Sequence, residues 1–254
     1  MPARQAGHHA MSGASSAPSV ARRDLMLLLL AVAGASVDAV VILRFGVLTA
    51  AQTGNTILLA VHLAQGQFAS GLSAALSVVG YIIGAAVGEL VIVGRGDSAP
   101  WLSAVGRTLV AELVPLSCLL SFWHLAGPHP GQETIMGLVA LAAIAMGIQS
   151  AAVLRLHAGP TTTYVTGTLT TFTAGVIRWL RLIEAASDSV PTQQELNSAS
   201  LLSDDSPWIY GITWLVYATR AVISGVLFLR VGEGALVLPI TAIVAVIVAG
   251  ARRP

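Results

Sequence analysis

Asp38 and Arg220 are charged residues set deep in apolar sequence. Asp38 lies thirteen residues into a run from Leu25 to Leu43, and Arg220 lies inside another, Trp208–Leu229. At about 1.5 Å per helical residue, Asp38 is ~20 Å along its run. A carboxylate held in hydrocarbon costs several kcal/mol unless it is paired, hydrated or protonated. Two chemistries follow for Asp38: a proton or cation site, or an interior hydrogen bond to another helix. Arg220 cannot shed its charge and needs an acidic partner or a water-filled cavity, as a structural ion pair or an anion-binding group. The acids available to it are Asp38, Glu89 and Glu112. Glu89 stands near the end of its apolar run and is expected at the interface, as is Glu112, which opens the run Leu109–Leu125.

A second set of polar residues is arranged around glycines. Thr53-Gly54-Asn55-Thr56 and Thr166-Gly167-Thr168-Leu169 each follow an apolar run closely. Gly54 and Gly167 can open half-helices whose free N–H groups attract anions or polar solutes, or can mark plain helix-breaking turns. Asp38, Arg220, Thr53, Gly54, Asn55, Gln149, Thr166 and Gly167 are therefore the candidate substrate-binding residues. Gly80, Gly84 and Gly88 form a ridge of small residues suited to close helix approach. His62, His124, His129 and His157 lack metal-ligand spacing, and no zinc motif, phosphate loop or nucleophile elbow is present. No catalytic residue, metal or cofactor is expected, and an enzyme is not the reading favoured. The single cysteine, Cys118, excludes an internal disulfide and is expected to pack as a small hydrophobe.

The elements that must position these residues belong to a bilayer. Of 254 residues, 55% are hydrophobic and 10% charged, with a mean hydropathy of +0.80. A soluble domain carries about a quarter charged residues, so this chain cannot cover a water-facing surface. A net charge of +1 gives no reason to expect a nucleic-acid partner; the lipid bilayer is the partner the composition implies. Residues 1–21 read as a disordered tail, and 22–254 as a single transmembrane domain. Six runs can cross ~30 Å of hydrocarbon: Leu25–Leu43, Leu72–Val93, Leu109–Leu125, Ile135–Leu154, Trp208–Leu229 and Ala235–Ala251. For the first of these, Arg22-Arg23 ahead of the run and Ala33-Gly34-Ala35 within it leave an export signal as a rival reading. Two further segments, Thr53–Gln65 and Thr161–Ile177, are too polar for ordinary spans and are expected as short re-entrant or shielded helices. An acidic connector without a basic residue runs from Glu184 to Pro207.

These runs form a repeat. In Val37–Arg44 and Ile148–Arg155 a polar residue, Asp38 or Gln149, stands six positions before an arginine, and a Thr-Gly pair follows each. The halves are about 25–126 and 133–251. If both weak segments cross, giving eight spans, seven arginines lie inside and five outside; if both are re-entrant, giving six, ten lie inside and only Arg44 and Arg230 outside. The positive-inside rule favours six, with both termini cytoplasmic. Three crossings per half is an odd number, which makes the repeats inverted. The fold expected is thus an all-α membrane protein of about six transmembrane helices in two inverted repeats, each with three spans and a short re-entrant or broken helix.

The Thr-Gly-Asn-Thr segment, the helix Gly-Tyr-Ile-Ile-Gly-Ala-Ala-Val-Gly and Met146-Gly147-Ile148-Gln149-Ser150-Ala151 followed by Thr166-Gly167-Thr168 resemble the YoaK family over about residues 25–250. The resemblance implies a multi-pass protein of a bacterial inner membrane with six spans, and supplies no substrate or catalytic residue. Two functions remain open: a small-solute or ion transporter or channel with a polar site at mid-membrane, and a non-transporting scaffold or regulator acting through its acidic loop and glycine face.

Overall fold

In the computed structural model, residues 20–93, 101–155, 165–188 and 207–251 are described. Most of the expected tail lies outside them, although Val20 and Ala21 already belong to the first helix; most of the acidic connector also lies outside. No strand occurs among the described residues. In chain order the elements are α1 (Val20–Phe45), α2 (Gln52–Ala64), α3 (Phe68–Val93), α4 (Trp101–Ala126), α5 (Gln132–Arg155), α6 (Val165–Asp188), α7 (Pro207–Val231), a 3-10 turn (Gly232–Leu236) and α8 (Val237–Ala251).

Five stretches are long and apolar enough to cross a membrane: Asp24–Phe45, Phe68–Val93, Val105–Ala126, Gln132–Leu154 and Trp208–Ala251. The last is 44 residues long, about twice what one crossing requires. It is broken at the 3-10 turn, where Gly232 takes φ 62°, a left-handed conformation that ends α7 as Gly46, at φ 72°, ends α1.

Two expectations change at the level of local structure. The second weak segment is not short: α6 has 24 residues, because Arg178-Trp179-Leu180-Arg181-Leu182-Ile183-Glu184-Ala185 are good helix formers that carry it on past Ile177. It is nonetheless too polar to count among the five apolar stretches. Helix α4 begins at Trp101 rather than Leu109, so Glu112 is its twelfth residue and not its fourth.

The most buried of the five apolar stretches belong to α1 and α5, at 72% and 67% buried, against 28% for α3 and 33% for α4. These two central helices touch each other; α1 also packs on α7 and α8, and α5 on α3 and α4. Helix α2 lies on α3, α6 on α7, and α4 on α8. The core runs through Leu27, Leu30, Val37, Leu116, Leu138 and Met146. The outer faces of the remaining helices are apolar and uncovered, as at Leu90, Leu125 and Leu229, which suits a lipid surround rather than water. The glycine ridge closes the α3–α5 contact. A Cβ at Gly84 would lie 2.0 Å from the Ile144 carbonyl oxygen, and one at Gly147 would lie 2.2 Å from that of Tyr81. The backbones therefore meet directly.

Candidate functional site

Asp38 is 3% exposed, one turn and three residues before the end of α1. The chain leaves α1 at Gly46 and folds back, so that Thr49 and Ala50 come alongside the carboxyl. Oδ1 accepts the Thr49 backbone N–H (2.6 Å), the Thr49 hydroxyl (2.8 Å) and the Ala50 N–H (2.9 Å). Oδ2 accepts the hydroxyl of Tyr217 on α7 (3.0 Å). Two residues earlier on α1, Ser36 accepts a hydrogen bond from Ser224 of α7 at 2.8 Å. Both bonds tie α1 to α7, the Ser36–Ser224 one buried and the Asp38–Tyr217 one partly so.

Asn55 holds the other side of the same loop. Its Oδ1 accepts Leu48 N–H (2.9 Å), and its Nδ2 donates to the Leu48 carbonyl (2.6 Å), with Gln52 Oε1 and Ser77 Oγ of α3 each at 2.9 Å. Ser77 also donates to the Leu48 carbonyl at 2.6 Å. Gln52 N–H and Gly54 N–H turn back onto the Ala50 and Ala51 carbonyls. The N–H groups of Leu48, Thr49, Ala50, Gln52 and Gly54 are thus used internally, those of Thr49 and Ala50 on the chain's own Asp38. A Cβ at Gly54 would lie 2.7 Å from a Leu48 methyl, the far end of a side chain that can turn aside. Thr53 is exposed on the bundle surface, as is Gly167; Thr166 sits in the first turn of α6.

Gln149 is 2% exposed and donates to Glu112 Oε1 at 3.2 Å. Its own Oε1 faces Gly34 of α1, where a Cβ would stand 3.3 Å away. Glu112 is wholly buried, and its Oε2 has no hydrogen-bond partner. This corrects its expected interfacial place: with α4 starting eight residues earlier, the side chain falls mid-helix. Arg220 is half-buried, with Nε enclosed and without a partner. Among the described residues it makes no ion pair with Asp38, Glu89 or Glu112. Tyr217, three positions earlier on α7, occupies the Asp38 oxygen instead. Glu89 is exposed on α3. The other polar end of the bundle is external: Arg44 reaches the Pro128 carbonyl, and His124 Nδ1 lies 3.2 Å from Glu233 Oε1.

Thr49, Ser77 and Tyr217 carry these bonds at positions that nothing in the sequence marks, and Glu112 is a residue that the sequence marks but places at the interface. Thr49 sits in what reads as a linker, and Ser77 and Tyr217 are single polar groups in long apolar helices. Counting α4 from Pro100, a natural first-turn residue, would have brought Glu112 inside.

A family profile described as protein of unknown function (DUF1275) matches residues 25–249, nearly the whole described bundle. The chain belongs to that family. A relative, the UPF0700 transmembrane protein YoaK of Bacillus subtilis (strain 168), is 33% identical over 156 residues, 59% of this chain. The match spans 66% of that relative, just under two thirds of its length. No solved structure matches this DUF1275 member. Together with the apolar helices, the relative's name and the family match make it a helical membrane protein.

Proposed function

We propose that the protein is a transporter or channel for a small polar solute or ion, residing in a bacterial inner membrane with both termini cytoplasmic. One observation carries this reading: buried polar groups from the two halves meet beside the central helices, as Asp38–Tyr217 and as Glu112–Gln149. Polar groups in hydrocarbon are costly, and in transport proteins they gather where repeats meet at mid-membrane.

A duplication underlies it. Exchanging α1–α4 for α5–α8 turns α3–α5 into α7–α1, α2–α3 into α6–α7, and α4–α5 into α8–α1, and all these pairs are in contact. Ser77 and Tyr81 of α3 recur at the same spacing as Thr213 and Tyr217 of α7. The shared end of α1 and α4 supports inversion: Phe45 packs on Trp123 with ring centroids 4.8 Å apart, and Arg44 reaches the Pro128 carbonyl. On this reading α1 and α4 run the same way, α2 returns to the side it came from, and α1, α3 and α4 are the crossings of the first half, giving six spans in all. A scaffold acting through the glycine face has less support, since α5 already covers that ridge.

Purified protein in proteoliposomes, screened for uptake of small polar solutes and ions against empty vesicles, tests the proposal. Uptake above the empty-vesicle rate for some solute supports it; none across polar organic solutes, inorganic ions and protons would overturn it.

A further inference from the structure

We propose that Glu112 is a proton-exchange site inside the membrane, with Gln149 as its positioning partner. Its use depends on the transport reading; its chemistry does not. The side chain lies at the middle of α4 and is fully enclosed. A single amide donor, Gln149 Nε2, meets one oxygen, and the other oxygen is buried with no partner. Gln149 is itself fixed between α4 and α1, because the absent side chain of Gly34 leaves room for its Oε1.

The charges around it do not compensate a carboxylate. On α4 itself, Arg107 stands five residues earlier with a buried and unpartnered Nη2, while Cys118 is half-buried and His124 is exposed and paired with Glu233 of the 3-10 turn. Helix α3 offers Tyr81 and the exposed Glu89, and the described part of α5 the exposed Glu133. Helix α8 carries no ionisable side chain. Asp38 of α1 is held by Thr49, Ala50 and Tyr217. None of them forms an ion pair with Glu112 among the described residues. A carboxylate buried with one neutral donor is expensive, and uptake of one proton, COO⁻ + H⁺ giving COOH, removes that cost without any redox partner. Asp38 differs in kind: both its oxygens are already engaged, which makes it a fastener for the loop.

The test uses the full chain in detergent and in proteoliposomes. Dicyclohexylcarbodiimide, an apolar reagent, adds to protonated carboxyls in the membrane interior and leaves an N-acylurea that peptide mass mapping locates. The expected result is modification at Glu112, with a rate that falls about tenfold per pH unit once the site deprotonates. Glu112→Gln abolishes it, and Gln149→Leu keeps the modification but moves the midpoint of its pH profile. An unmodified Glu112 at every pH, or a rate independent of pH, overturns the proposal. Mapping on the unaltered protein decides the matter even where a variant fails to fold. Titrating modification in a protein that takes up no solute would sink the transport reading and leave this site standing.

Discussion

The hydroxyl of Tyr217 donates to Asp38 Oδ2 at 3.0 Å, tying α7 to α1 across 179 residues of sequence. The same carboxyl holds the Thr49 and Ala50 N–H groups of the folded-back loop, so one side chain organises both a long-range contact and a local turn. Tyr217→Phe removes a single bond and is expected to lower stability in detergent by ~1–3 kcal/mol. Asp38→Ala strands two buried backbone donors as well and is expected to cost ~3 kcal/mol or more. The double variant should cost less than the sum, because the two share one interaction. Denaturant unfolding followed by circular dichroism measures all three; an Asp38→Ala protein as stable as the parent would show that the carboxyl does not hold the loop.

Direct backbone contact between α3 and α5 leaves no room for a methyl. Gly84→Ala and Gly147→Ala would press a Cβ into carbonyl oxygens of the facing helix, at 2.0 and 2.2 Å, so the helices must part. Each is expected to destabilise by ~1–3 kcal/mol, as overpacked sites do. Gly137→Ala on α5 meets nothing within 4 Å and should be neutral or stabilising by ~0.5–1 kcal/mol through helix propensity. Thermal melts of the three variants give the comparison, and equal effects at all three positions would argue against close approach.

Glu233 lies in the 3-10 turn outside the helices, and its carboxyl is held below its ordinary value of 4.5. The larger cause is a hydrogen bond from its own backbone N–H, then the bond to His124. A lowered folded-state value stabilises the fold above pH 4.5, and that contribution fades as pH falls through the lowered value. The pair is solvent-exposed, with side chains 77% and 35% accessible, so the effect is small and sensitive to salt. The acid-side loss of melting temperature should shrink in Glu233→Gln; an unchanged acid profile would remove this pair from the account.

Six spans with inverted halves make a further topological claim. Reporter fusions after Ala251 and before Val20 should both read as cytoplasmic, and a cysteine introduced at Gln65, in the turn between α2 and α3, should be labelled from outside the cell. Labelling of Gln65 only from the cytoplasmic side would mean that α2 crosses, and the eight-span arrangement would replace this one.

Much of the architecture was legible in the chain because hydrocarbon is an unforgiving solvent. Length and apolarity alone mark α1, α3, α5 and α7, since a helix without ~20 apolar residues cannot cross. The ordered recurrence of Asp38 and Gln149, each before an arginine and a Thr-Gly pair, picked out α1 and α5, which are the central helices in contact. What required the tertiary structure was the destination of each polar group. Composition places Glu112 and Arg220 in or near apolar sequence, but which one is sealed depends on where α4 begins and which face of α7 meets α1. Helix α4 gains its first turns from weakly apolar residues that hydropathy undercounts, and this moves Glu112 from interface to core. Of the three acids open to Arg220, Asp38 satisfies its oxygens instead with local N–H groups and with Tyr217, three residues before Arg220 on α7. Hydrogen bonds are short-ranged and directional, so a sequence can say that a buried carboxyl needs donors, while only the folded chain decides which ones arrive.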